Sequence, residues 1–171
     1  MKLNLGCGDN LIDGYINIDK YDKAADVQTD MADVAYPDKS IEEIVIYQAL
    51  EHTPYNSLNS ILSNCHRMLI PGGKLIIEVP DIEYAALEIL SDGLSDKWVH
   101  HIWGEYYRPW DKERYPDATF HAGSIHYQGF TFDRLSNALK QAGFSDVRKR
   151  EMAEKHPSYK FEENLSVEAV R

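Results

Sequence analysis

Short apolar stretches separated by glycine, proline and acidic clusters run along the whole chain, and their spacing sorts them into two kinds. Apolar and polar positions alternate in Lys2-Leu3-Asn4-Leu5 and again in Tyr15-Ile16-Asn17-Ile18, which predicts two short strands. Gly6-Cys7-Gly8 ends the first of these, and the second closes on Asp19. Only about ten residues separate them, room for a turn or two of helix at most. Further strands are expected near Asp26–Thr29, at Ile41–Tyr47 around the apolar run Ile44-Val45-Ile46, and at Lys74–Val79. Between the last two, Leu58, Ile61, Leu62, Cys65 and Leu69 recur at spacings of three and four, so Tyr55–Ile70 predicts an amphipathic helix that Pro71-Gly72-Gly73 breaks. A short helix after Pro80-Asp81 through Leu90 and another over Thr131–Ala142 follow, the second stopping at Gly143. Val147–Met152 and Leu165–Val170 are expected to close the fold as strands.

Strands separated by helices in this order predict an open, mostly parallel α/β sheet with helices on both faces. Ligands of such sheets lie at the carboxyl ends of the strands. The positions to read for function are therefore Gly6 to Asn10, Asp19, Asp30-Met31, Gln48 to His52, and Pro80-Asp81.

The chain has 171 residues, 43% apolar and 27% charged, which fits one globular domain over residues 1–171. Two cysteines, Cys7 and Cys65, cannot make a disulfide framework or a metal quartet, and a reducing, cytoplasmic setting is expected. No apolar run approaches membrane-spanning length, and no secretory leader is read. A formal charge of −10 argues against a nucleic-acid partner, because phosphate binding draws on clustered Lys and Arg. Arg148-Lys149-Arg150 is too short to change that.

Two glycines in Gly6-Cys7-Gly8 let the backbone approach a ligand closely. A dinucleotide fingerprint would need a third glycine at position 11, where Leu11 stands, and an acid about twenty residues on. No phosphate-binding Gly-Lys-Ser/Thr is present. The pattern therefore fits a nucleoside without a pyrophosphate: Asp19 to accept from ribose hydroxyls, Asp30 from an exocyclic amine, and Met31 as an apolar wall for a base.

In LNLGCGDN at 3–10, GYINID at 14–19, Asp30 before Met31, ALEHTP at 49–54, RMLIPGGKLIIEVPD at 67–81 and LKQAGFSDV at 139–147, the chain resembles the class I S-adenosylmethionine-dependent methyltransferases, in particular small domains of the type 11 kind. The resemblance implies a Rossmann-like sheet ordered 3-2-1-4-5-7-6 with the seventh strand antiparallel, and S-adenosyl-L-methionine as cofactor. Gly6, Cys7 and Gly8 would then line its methionine part, Asp19 would hold the ribose diol, Asp30 and Met31 would meet the adenine, and Gln48 to His52 would border the sulfonium. Asn4 and Asn10 depart from the pattern, standing where many members carry an acid and a third glycine.

Residues 92–130 lie outside the resemblance and hold all three tryptophans, several tyrosines and four of the seven histidines. This insert is expected to form a substrate lid or acceptor pocket. His52, His101, His121 and His126 are the candidate general bases, with Glu105 and Tyr106 weaker ones. No spacing of the His-Glu-x-x-His kind occurs, so no metal is expected. The reading is methyl transfer to an oxygen or nitrogen of a small-molecule or sugar acceptor, with a homodimer allowed. The alternative is a catalytically silent S-adenosylmethionine or nucleoside binding module working through a partner protein. Asp19→Ala is expected to weaken cofactor binding and leave the fold intact.

Overall fold

In the computed structural model, residues 1–104, 125–150 and 163–171 are described. Seven strands, β1 (Lys2–Leu5), β2 (Ile16–Asp19), β3 (Val27–Gln28), β4 (Ile41–Tyr47), β5 (Leu69–Pro80), β6 (Ser145–Lys149) and β7 (Asn164–Val170), form one sheet in the order β3-β2-β1-β4-β5-β7-β6. β1 to β5 pair in parallel, whereas β7 runs antiparallel to both β5 and β6. Order and strand sense are those that the resemblance implies. The helices are α1 (Leu58–Met68), α2 (Ile82–Asp92), α3 (Asp96–Trp103) and α4 (Phe132–Gln141).

The two faces of the sheet differ in chemistry. Leu3, Leu5, Ile18, Ile44, Ile46, Leu75, Ile77, Val167 and Ala169 alternate onto one face and are buried in a single core. Onto them pack α1, through Leu58, Ile61, Leu62, Cys65 and Met68, and α4, through Leu135 and Leu139. Each fully buried Leu or Ile contributes about 1.5–3 kcal/mol in transfer free energy. The other face carries Lys2, Asn4, Glu43, Lys74 and Glu168, and its charges pair across strands: Lys2 with Glu43 at 3.0 Å, and Glu168 with Arg148 at 2.7 Å and Lys74 at 3.5 Å.

No helix forms in the described chain between Leu5 and Val27. An amide network closes that space. Asn4 Nδ2 donates to the Asn10 carbonyl (2.8 Å) and to Asn17 Oδ1 (3.0 Å), and Asn17 Oδ1 also accepts from Ile12 N–H (2.9 Å). Asp26 Oδ2 accepts in turn from Asn17 N–H (2.8 Å). Asn4 thus supports the loop above it as a donor, a function that a carboxylate at this position could not perform.

Several boundaries move. β5 begins at Leu69, because a register shift between Ile41 and Glu43 lets Pro71-Gly72-Gly73 stay in the strand. α1 is preceded by a 3-10 turn over Tyr55–Ser57, and α3 is an additional helix. The expected extension of β6 to Met152 runs outside the described residues. At the carboxyl end of β5 the chain leaves at Asp81 and returns at Phe130, the two joined by a parallel bridge and an Ile82 N–H to Phe130 carbonyl bond of 3.0 Å. Asp81 caps α2, its carboxylate accepting from Glu83 and Tyr84 N–H. Among the described residues no helix is long and apolar enough to cross a membrane.

Candidate active site

Above the carboxyl ends of β1, β2 and β4 lies a cavity of about 400 Å³. Gly6, Cys7, Gly8, Asp19, Asp30, Met31, Gln48 and His52, the eight residues expected at the cofactor, all border it. Tyr21, Thr29, Tyr47, Thr53 and Tyr127 are lining residues that the strand-end rule did not supply.

The glycine turn is fixed by close packing and by β2. Gly6 has φ +67°, and a Cβ there would lie 2.4 Å from the Ala49 Cβ and 3.1 Å from Met31 Cε. Gly8 has φ +49°, but a Cβ there would meet nothing within 4 Å. The N–H groups of Gly6 and Cys7 both donate to the Ile18 carbonyl, at 2.8 and 3.1 Å.

Asp19 fastens the same turn. Its Oδ2 accepts from Gly8 N–H at 2.9 Å, while Oδ1 accepts from Tyr21 N–H (2.7 Å) and Asp22 N–H (2.9 Å). A carboxylate offers about four acceptor sites, so roughly one, on Oδ2, stays open for a ligand hydroxyl. The expectation that Asp19→Ala leaves the fold untouched therefore needs correcting, since three backbone donors depend on this side chain. Asp30 is also engaged: Oδ1 caps the turn at Met31–Asp33 through Ala32 N–H (2.9 Å), and Oδ2 pairs with Lys20 at 3.0 Å. Burial opposes its charge, but Ala32 N–H and Lys20 outweigh that and hold the carboxyl below its ordinary range.

Gln48 ends β4 in a left-handed conformation, φ +50°, with its N–H donating to the Glu78 carbonyl. Its side-chain Nε2 is buried without an acceptor at the cavity wall. The residue lines the cavity while this donor lies buried behind its wall, and positive φ with an orphaned donor makes Gln48 a candidate ligand-contacting position. Burial, reinforced by Asp19, pushes the Cys7 thiol up to about 12, so it packs and is no nucleophile.

The candidate bases separate clearly. His52 borders the cavity, its Nδ1 lying 3.0 Å from the Ile125 carbonyl. Burial holds it below its usual value, against the pull of that carbonyl. His126 contacts the His52 ring edge-on at 4.8 Å but does not border the cavity, and burial, then His52, lowers it to about 4. His101 lies on α3 against Trp98, at 5.5 Å between ring centroids, and is also absent from the cavity wall. His121, Glu105 and Tyr106 lie outside the described residues. The return of the insert is tied to the segment after β4: Tyr127 N–H donates to the Glu51 carbonyl (2.9 Å), and Gln128 Nε2 donates to Thr53 Oγ1 (3.0 Å).

The donor set fits S-adenosylmethionine. A glycine opening that a Cβ at Gly8 would enter freely, the orphaned Gln48 donor and acids at two strand ends suit a cationic sulfur compound with a sugar and a base. Lys20, the one Lys or Arg at the wall among the described residues, is already paired with Asp30.

A parallel sheet with this order, an antiparallel β7 and a cavity over its strand ends defines a Rossmann-like α/β fold. Residues 10–77 match a family model described as a methyltransferase domain. No curated protein matches the sequence. Among solved structures, the chain is similar to a methyltransferase from Archaeoglobus fulgidus described as SAM dependent (15% identity, 99% of this chain and 85% of that one, TM-score 0.61). It is also similar to an S-adenosylmethionine-dependent methyltransferase from Mesorhizobium loti (16%, 99% and 90%, TM-score 0.58). A third is the 1,6-didemethyltoxoflavin-N1-methyltransferase of Burkholderia thailandensis, which holds 1,6-didemethyltoxoflavin and S-adenosylhomocysteine (16%, 99% and 70%, TM-score 0.56). Residues 10–77 are thus similar to a methyltransferase domain, and the fold of the whole chain is that of solved S-adenosylmethionine-dependent methyltransferases.

Proposed function

We propose that the protein transfers a methyl group from S-adenosylmethionine to an oxygen or nitrogen of a small-molecule or sugar acceptor. The observation that carries this reading is the convergence of Gly6, Gly8, Asp19, Asp30, Met31, Gln48 and His52 on one cavity. When bound, the cofactor supplies a methyl group on a sulfonium whose sulfur departs neutral.

The protein's task is then alignment, which can be worth roughly 7–11 kcal/mol of the barrier. The open acceptor site on Asp19 Oδ2 takes one ribose hydroxyl while the same carboxylate keeps the glycine turn in place. Met31, pressed toward Gly6, gives the base an apolar wall, with Asp30 at its rim. Gln48 lines the cavity, and a rotation of its buried amide would turn Nε2 toward the methionine part or the acceptor. His52 is the described histidine that reaches the acceptor's proton, and burial keeps it neutral and able to accept it. The chain forms one domain, and the 92–130 insert covers the acceptor, because its return places Tyr127 in the cavity wall and anchors Ile125 and Gln128 to the residues after β4.

Calorimetric titration with S-adenosylhomocysteine and, separately, NAD tests the cofactor assignment: binding of the first supports it, and tight binding of NAD alone overturns it. Radiolabelled methyl incorporation into fractionated extracts then tests the acceptor class. A labelled small molecule supports the reading, and label found only in protein or nucleic acid refutes it.

A further inference from the structure

Glu51, directly before His52, is 1% exposed. Neither of its side-chain oxygens has a hydrogen-bond donor in place, its own amide approaching only loosely. Proteins seldom bury a carboxylate without a partner, and those that do hold it protonated or bound to a cation.

Two imidazoles face it. His52 Nε2 lies 4.0 Å from Glu51 Oε1, and one ligand-type atom from each of Glu51, His52 and His126 lies within 4.8 Å of the others. The tautomer of His52 follows from its other nitrogen. The Ile125 carbonyl, 3.0 Å from Nδ1, can only accept, so Nδ1 carries the proton and Nε2 keeps its lone pair toward Glu51. A backbone carbonyl behind one ring nitrogen is the support that orients a histidine whose other nitrogen binds a metal.

We propose that Glu51, His52 and His126 form a binding site for a divalent transition-metal ion of the zinc class, with two imidazole nitrogens and one carboxylate oxygen as ligands. The three atoms stand up to 4.8 Å apart, against roughly 3.4 Å between ligands of a tetrahedral ion bound at roughly 2.0–2.1 Å. The site does not depend on the cofactor reading, because Glu51 and His126 are absent from the cavity wall and only His52 is shared. With an ion bound, the His52 lone pair would be taken, so the proton-accepting role proposed above belongs to the metal-free protein.

The test is calorimetric titration of chelator-treated, tag-free protein with zinc chloride, comparing wild type with E51Q and H126N. Circular dichroism checks the fold of each. One zinc ion per chain in the wild type, with affinity lower by about tenfold or more in both variants, is the expected result. No zinc binding by the wild type, or wild-type affinity retained in either variant, overturns the proposal. E51Q keeps the side-chain volume and replaces a carboxyl that burial holds up at about 8 with a neutral amide, so it tests the site with least risk to folding. Should either variant fail to fold, the cobalt-loaded wild type decides. Intense visible bands of four- or five-coordinate cobalt support the site, and the faint spectrum of the hydrated ion refutes it. Loss of S-adenosylhomocysteine binding with zinc binding retained would count against the proposed function and leave this site standing.

Discussion

Gly6→Ala and Gly8→Ala place the same methyl group two residues apart on one loop, and the structure assigns them different costs. Both positions have positive φ, +67° and +49°, so each alanine carries a backbone penalty of about 1–2 kcal/mol. At Gly8 nothing else is added, because no atom lies within 4 Å of the new carbon. At Gly6 that carbon would sit 2.4 Å from the Ala49 Cβ, more than about 1 Å inside ordinary carbon contact. Overpacking of this kind costs about 1–3 kcal/mol, so Gly6→Ala should lose about 2–5 kcal/mol in total. Urea unfolding measures both, and Ala49→Gly in the Gly6→Ala background should recover about 1 kcal/mol or more as a positive coupling. Because Ala49 and Met31 both border the cavity, Gly6→Ala should also weaken S-adenosylhomocysteine binding about tenfold or more, while Gly8→Ala weakens it only where its methyl meets ligand. Equal destabilisation by the two alanines, or no coupling to Ala49, would refute the account of this loop.

Other consequences can be checked directly. Asp19→Ala should lower stability by about 1–3 kcal/mol as well as cofactor affinity, since it strands the N–H groups of Gly8, Tyr21 and Asp22; weakened binding with an unchanged urea midpoint would show that the carboxylate serves the ligand alone. Both thiols, raised to about 12 by burial, with Asp19 adding to the shift at Cys7, should resist a thiol reagent at pH 8 until the chain is unfolded; rapid labelling of the native protein would contradict this. His66 is held below its usual value by burial and then by Arg171. Its folded pKa thus lies below the unfolded one, and its contribution to stability is lost as pH falls from about 6.5 through the folded value. Proton NMR of the ring should show a midpoint below 6.5 that rises in Arg171→Ala, and a midpoint unmoved by that change would exclude Arg171 as a cause.

Much of the cofactor half was legible because strand ends are marked by chemistry that periodicity can locate. The uninterrupted seven residues Ile41–Tyr47 have the predicted bounds of β4, and Gly6, Asp19, Asp30 and Gln48 follow from reading what comes next. Where breakers and strands coincide the reading fails: Pro71-Gly72-Gly73 signals a loop locally, yet a register shift on β4 absorbs it into β5. The double duty of Asp19 was hidden, since backbone donors carry no sequence signature. Thr53 was missed because it reaches the cavity from outside the strand ends, whereas Tyr127 belongs to the aromatic insert expected beside it. The pairing of Glu51 and His52 with His126 depends on where the chain returns after a long excursion, and no local spacing encodes it.

That excursion begins at Asp81 and ends at Phe130, residues bridged to each other beside the sheet. A detour pinned at its base tolerates changes in length, because doubling the length of a flexible loop costs only about 0.6 kcal/mol in closure entropy. The scaffold can therefore exchange one recognition element for another between these two anchors while the donor end stays as it is, so that choice of acceptor and hold on the methyl source are free to evolve separately.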